Sequence, residues 1–141
     1  YFIYRTDMKL LTSNHAKHQI GIHLIWCTKY RHEVIVAGIE VMLREILAET
    51  CAHYGWSIEA LETMPDHVHV FVQANHLTAP VFIASTLKSI SAVKLFSEFP
   101  KLKQRKFWGS GLWSSSTYYG SVGQVNEVTI RKYIESQKNL D

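Results

Sequence analysis

The 141-residue chain is poor in cysteine and has no long apolar run, and each scarcity excludes a class of protein. Its two cysteines, Cys27 and Cys51, form no CxxC pair and sit inside apolar patterns. Each reads as a buried reduced thiol, and a cytosolic compartment fits that reading. No apolar stretch approaches the roughly 20 residues of a membrane helix, and the N-terminal residues show no secretory signal pattern. A glycine-rich phosphate loop, GxSxG, HExxH and a Cys/His/Asp triad pattern are all missing. One-signed charge is scarce too. Fifteen Lys and Arg against 12 Asp and Glu give a net +3 and a pI near 8.9, which allows a nucleic-acid partner without requiring one. With 47% hydrophobic and 19% charged residues the chain is neither disordered nor collagen-like, and residues 1–141 read as one domain with an adequate core. What is abundant is histidine, eight residues, and aromatics: seven Tyr, six Phe and four Trp.

Residues 18–29 alternate, with Ile20, Ile22, Leu24 and Trp26 on one side, and predict a strand. Residues 39–54 carry apolar positions at helical spacing, with Gly55 as the C-terminal stop. Trp56 to Met64 and His67 to Gln73 predict two further strands around the Pro65-Asp66 turn. Thr78 is the expected cap of a helix with Pro80 in its first turn, running over 81–99 to Pro100. Residues 101–106 are basic and are expected to be loop. Trp113 to Val122 predicts a fourth strand ended by Gly123, and Asn126 the cap of a final helix reaching about Lys138. The expected fold is α+β: a ferredoxin-like, RRM-like βαββαβ antiparallel sheet with helices on one face. The extra C-terminal helix is expected near the open face.

Three groupings can carry chemistry. Alternation sends Val68, Val70 and Val72 to one strand face, and His67, His69, Phe71 and Gln73 to the other. Two imidazoles side by side suit a metal ion, although most such pairs are surface or hydrogen-bonded histidines. Tyr133 and Gln137 lie four apart on the last helix and project together, giving a phenol nucleophile and an amide oxygen ligand. Equally, Tyr133 can be a packed aromatic between Ile130 and Ile134. Lys101, Lys103, Arg105 and Lys106 run into Phe107, Trp108 and Trp113, with Lys29, Arg31, Lys88 and Lys94 elsewhere. Cations track phosphates and rings stack on unpaired bases, or the stretch is a solvated loop with ordinary core aromatics.

Taken together, four strings look like the single-tyrosine HUH transposases of the smallest bacterial and archaeal insertion sequences. They are Trp26-Cys27-Thr28-Lys29-Tyr30-Arg31, Met64-Pro65-Asp66-His67-Val68-His69-Val70, Gly120-Ser121-Val122-Gly123 and Ile130 to Gln137. The resemblance runs from about His18 to Gln137. It implies single-stranded DNA cleavage and rejoining through a 5′-phosphotyrosine, with Tyr133 as nucleophile. It implies one divalent ion, Mg²⁺ or Mn²⁺, on His67, His69 and Gln137. Homodimers with a sheet continued across the interface, and recognition of DNA hairpins at element ends, are implied as well. DNA contacts are expected from Lys29, Arg31, Lys103, Arg105, Lys106 and Trp108, with no membrane involved. Tyr118 and Tyr119 are competing phenols, and the short tail after Gln137 favours a mobile element over a domesticated repeat-associated relative. The alternatives are an RRM-like single-strand-binding module without catalysis and a metal-dependent phosphodiesterase with no covalent step.

Overall fold

A computed structural model describes residues 19–107, 110–121 and 127–137, the side chains of Glu127 and Ile130 excepted. Four strands, β1 (Gln19–Cys27), β2 (Ser57–Met64), β3 (His67–Asn75) and β4 (Tyr118–Ser121), form one antiparallel sheet in the order β2-β3-β1-β4. The helices are α1 (Ala37–Tyr54), α2 (Pro80–Glu98), α3 (Pro100–Lys106) and α4 (Glu127–Ser136). This is the expected α+β, ferredoxin-like arrangement, with β1 and β3 central.

The alternation in β1 and β3 builds the core. Register sets Leu24 opposite Val70 and Trp26 opposite Val68. Leu43, Ile46, Leu47 and Cys51 of α1 and Ile83, Ala84, Leu87 and Leu95 of α2 close over that face, none more than 4% exposed. Each such leucine or isoleucine contributes roughly 1.5–3 kcal/mol by leaving water. Neither cysteine is in a disulfide, both are buried, and burial pushes the Cys51 thiol up to about 12. Gly55 ends α1 at φ 78°, where the Gly55 N–H donates to Ala52 and the Trp56 N–H to Cys51.

Several boundaries depart from expectation. Residues 101–106 are helix. Pro100 stops α2 because it lacks an N–H, yet its fixed φ suits the first turn of a new helix, and Lys, Gln and Arg propagate it. The helix before it is capped at Ala79 rather than Thr78, with Pro80 at its start. The fourth strand is Tyr118–Ser121 alone. Trp113 makes one isolated bridge to Thr28. The ammonium of Lys88 takes the carbonyls of Ser114 (2.8 Å) and Ser116 (3.2 Å), groups that a strand would offer to a neighbour. Val122, Gly123, Asn126, Lys138 and His18 lie outside the described residues.

The second sheet face is not open. His23, His69, Phe71 and Gln73 are at most 4% exposed, so β3 is buried on both sides. The final helix lies on this side. The Tyr133 ring of α4 meets Tyr118, whose register partner Ile25 stands beside His69. Among the described residues no helix is long and apolar enough to cross a membrane.

Candidate active site

The hairpin between β2 and β3 turns on Pro65 and Asp66, and neighbouring backbone pins it. The Thr28 N–H donates to the Asp66 carbonyl and the Ile35 N–H to that of Pro65, both at 2.9 Å. The Asp66 carboxylate faces two ways. Its Oδ1 lies 2.8 Å from His67 Nδ1, and its Oδ2 accepts from Arg31 Nε at 3.0 Å and Nη2 at 2.8 Å. The His67 hydrogen bond, joined by the Arg31 guanidinium, holds the carboxyl at about 2 although burial pushes it upward. An ionised Asp66 accepts from Nδ1–H and thereby leaves His67 Nε2 pointing away, the tautomer that carboxylates impose on metal-ligating imidazoles. The Arg31 Nη1 donates to the Ile134 carbonyl at 3.1 Å. One guanidinium thus joins the carboxylate behind His67 to the turn of α4 that carries Tyr133.

His69 stands two residues on, across from Ile25. Its Nε2 is 2.8 Å from His23 Nδ1, and His23 stacks on Phe71 with centroids 4.3 Å apart. Burial lowers His23 to about 4. Burial, then the neighbouring His23 and His67, lowers His69 to about 3. Both rings are therefore neutral at pH 7, the state in which imidazole offers a lone pair.

On α4, Tyr133 and Gln137 project together as their spacing predicts, and both meet the loop ahead of β4. The Tyr133 hydroxyl lies 2.9 Å from Ser116 Oγ. Gln137, 3% exposed, accepts at Oε1 from Ser114 Oγ (3.1 Å) and Ser116 Oγ (2.9 Å). Because Ser116 commits its one proton to Gln137, it accepts from the phenol. Lys88 holds this loop through the two carbonyls and Thr117 Oγ1 at 3.0 Å.

The predicted residues therefore fall into two groups, His67 with His69 on β3 and Tyr133 with Gln137 on α4, bridged by Arg31. The Gln137 oxygen is turned to two serines. Among the expected DNA contacts, Arg31 is engaged within the fold and the Lys29 ammonium sits 5.9 Å over Tyr30. The Lys103 ammonium lies over Phe96. Arg105 and Lys106 are exposed on α3 and, with Lys101, flank a concavity floored by Phe99 and Leu102. Trp108 lies outside the described residues. Phe107 and Trp113 are core rings, 0% and 8% exposed, so they are not the stacking rings that the composition offered. Residues missed by sequence reasoning are Asp66, His23, Ser114, Ser116 and, as a loop anchor, Lys88. For His23 a signal exists: the alternation that sends Leu24 to the core sends His23 to the face of His69.

The model of a protein family described as IS200-like transposase matches residues 16–137. The chain belongs to the single-tyrosine, IS200-like transposase family. The ISDra2 transposase TnpA of Deinococcus radiodurans is 40% identical over 124 residues, 88% of each chain. A crystal structure from Deinococcus radiodurans R1, assigned as a transposase, superposes with a TM-score of 0.78 at 38% identity, covering 84% of this chain and 91% of that one. A REP-associated tyrosine transposase bound to a REP hairpin shares the fold at 14% identity, with a TM-score of 0.53 over 82% of this chain and 62% of its own. In this transposase Arg31 joins the β3 histidine hairpin to the α4 tyrosine turn, and the valine face of β3 packs under α1 and α2.

Proposed function

We propose that the transposase cuts and rejoins single-stranded DNA at insertion-sequence ends, with Tyr133 as nucleophile and His67, His69 and Gln137 as the holders of one Mg²⁺ or Mn²⁺. The observation that carries this reading is the Arg31 bridge, which ties the carboxylate orienting His67 to the backbone one residue past Tyr133. The chemistry of the donors supports a divalent ion. His67 is oriented by a carboxylate in the manner of ligating imidazoles, and burial keeps His69 neutral, although its Nε2 would have to exchange the contact with His23 Nδ1 at 2.8 Å for the ion. Gln137 would join them only after exchanging at least one serine, since its two lone pairs are shared by Ser114 and Ser116. When bound, the ion would polarise a non-bridging oxygen of the scissile phosphate.

The chain's own residues account for the covalent step. The Tyr133 oxygen forms a bond to phosphorus as the phenolic proton leaves, and the bond to the 3′ oxygen breaks, giving a free 3′-OH and a 5′-phosphotyrosine. The diester's free energy is kept in the new bond, so rejoining needs no ATP. One nucleophilic tyrosine per chain means that two strands need two chains, hence a homodimer. The strand β4 is one of the sheet's two edges, β2 being the other, with β1 as its one strand neighbour among the described residues, and a second copy could extend the sheet there. Hairpins at element ends are the expected recognition target, and the cytoplasm the expected compartment. The RRM-like alternative expects exposed rings on the sheet, whereas Phe71 is 0% exposed beneath His23.

Incubation of the protein with labelled single-stranded element ends and Mg²⁺ tests this. A denaturant-resistant protein–DNA adduct in the wild type, absent in Tyr133→Phe, is expected. An adduct that survives Tyr133→Phe and disappears in Tyr118→Phe or Tyr119→Phe overturns the assignment. Light scattering at micromolar concentration tests the dimer, and a mass near that of one chain with full strand transfer counts against it.

A further inference from the structure

The turn after β1 contains two consecutive non-glycine residues in the left-handed region, Tyr30 (φ 59°, ψ 12°) and Arg31 (φ 54°). That conformation disfavours an L side chain. For Arg31 the fold supplies an offset, since the turn aims its guanidinium at Asp66 and Ile134. For Tyr30 it supplies little. The ring is 47% exposed, and its neighbours are the edge of His32 at 5.6 Å and the Lys29 ammonium at 5.9 Å. Glycine or asparagine would hold the same backbone more easily.

The surroundings indicate what the ring can do there. Residues on both sides of Tyr30 are tied to Asp66, Thr28 through its N–H and Arg31 through its guanidinium, so the turn that carries Tyr30 stands at the His67 end of β3. In the other direction His32 packs edge-on against Phe107, the residue that follows the basic helix α3. The remaining exposed Tyr and Phe rings among the described residues do not compete. Tyr54 is stacked on Trp56 and both meet Phe82, at the far end of α1, while the side chain of Tyr119 lies on the sheet face opposite the histidines.

We infer that Tyr30 is a stacking platform for an unpaired base of single-stranded DNA next to the cleaved phosphate, with Lys29 on the adjoining backbone. The inference rests on the function proposed above and adds a base-binding residue to it. An aromatic face accepts any base, so the contact supplies affinity and placement rather than sequence choice.

The test is anisotropy of fluorescein-labelled dT12 with Tyr30→Gly and Tyr30→Asn, which remove the ring but suit the left-handed backbone, and with Tyr30→Phe. Both ring-less variants should hold the wild-type melting temperature or exceed it. Each should bind dT12 about ten-fold more weakly, with the salt dependence unchanged because no phosphate contact is lost. Tyr30→Phe should restore wild-type binding. On an abasic 12-mer all four proteins should bind alike. Binding of dT12 by Tyr30→Gly and Tyr30→Asn within two-fold of wild type, or an equal loss on the abasic strand, overturns the inference. Failure of the wild type to form an adduct with element-end DNA overturns the function instead, and the dT12 comparison is read independently of it.

Discussion

The two faces of the central strand β3 are buried alike and are held in different ways. On one side Val68, Val70 and Val72 are 0% exposed under α1 and α2, and nothing directional fixes them. On the other, His69 and Phe71 are 1% and 0% exposed, and His69 is in a hydrogen bond to His23. Dispersion and water exclusion stabilise the first face and tolerate changes of shape at modest cost. The second buries polar rings, which is unfavourable unless each is partnered. Burial therefore does not distinguish the two faces of β3 in this transposase; the kind of contact does.

The largest effect expected comes from the least change in volume. Tyr133→Phe removes one oxygen, so the fold should persist with a melting temperature close to wild type. Adduct formation with single-stranded element ends should fall below detection in a denaturing gel. Loss of the fold in this variant would mean that the bond to Ser116 is scaffold after all. Next is Arg31→Lys, which keeps the charge but cannot reach Asp66 twice and Ile134 at once. Adduct formation should slow about 10–100-fold, the usual cost of losing a partner that orients a ligand. Arg31→Gln, which removes the charge, should keep the wild-type salt slope of DNA affinity, and a shallower slope would return Arg31 to the role of phosphate contact.

The valine face should behave in the opposite sense. Val70→Ala leaves a cavity in the core and should cost about 2–3 kcal/mol in urea unfolding. The folded fraction should form adduct at the wild-type rate. Acid separates the faces again. With His23 at about 4 and His69 at about 3 in the folded chain, against 6.5 when unfolded, the unfolded chain binds more protons below pH 6.5. Stability is then full above pH 6.5 and falls as pH drops toward 4, by about 2 kcal/mol per histidine between pH 7 and 5. His23→Phe should remove part of that slope, while Val70→Ala should leave it intact.

Much of this is legible in the sequence because period-two alternation assigns each side chain to a face by its position alone. The split of Val68, Val70 and Val72 from His67 and His69 is such a case. Gly55 as a helix stop is equally local. The four-residue spacing of Tyr133 and Gln137 puts both on one side of α4. The helical 101–106 segment is hidden because a run of charge reads as loop, although Lys, Gln and Arg are good helix formers after a proline. The serine loop is hidden for another reason. Ser114 and Ser116 gain their role from Lys88, which is 26 residues from Ser114 and 28 from Ser116, and no local pattern encodes such a contact. The histidine face reads as open, because two polar residues on one strand suggest a surface. Its burial depends on partners from β1, with His23 46 residues away from His69.

The smallest effect expected lies off both buried faces, on the exposed basic helix α3. Arg105 and Lys106 are exposed and stand in the last turn of a seven-residue helix whose C-terminus leads through Phe107 to His32 and the turn after β1. If they hold phosphates, each releases about one counterion, so replacing both by alanine should flatten the log–log salt dependence of DNA affinity by roughly two. Affinity should fall several-fold at low salt and hardly at all at high salt, where screening has already removed the contact. The adduct rate at saturating DNA should not change, because neither side chain touches Tyr133, Gln137 or the β3 histidines. Lys103→Ala should do less than either, since its ammonium is committed to the Phe96 ring. An unchanged salt slope in the double variant would clear α3 of DNA contact and move the search for phosphate-binding groups to Lys29 and the turn after β1.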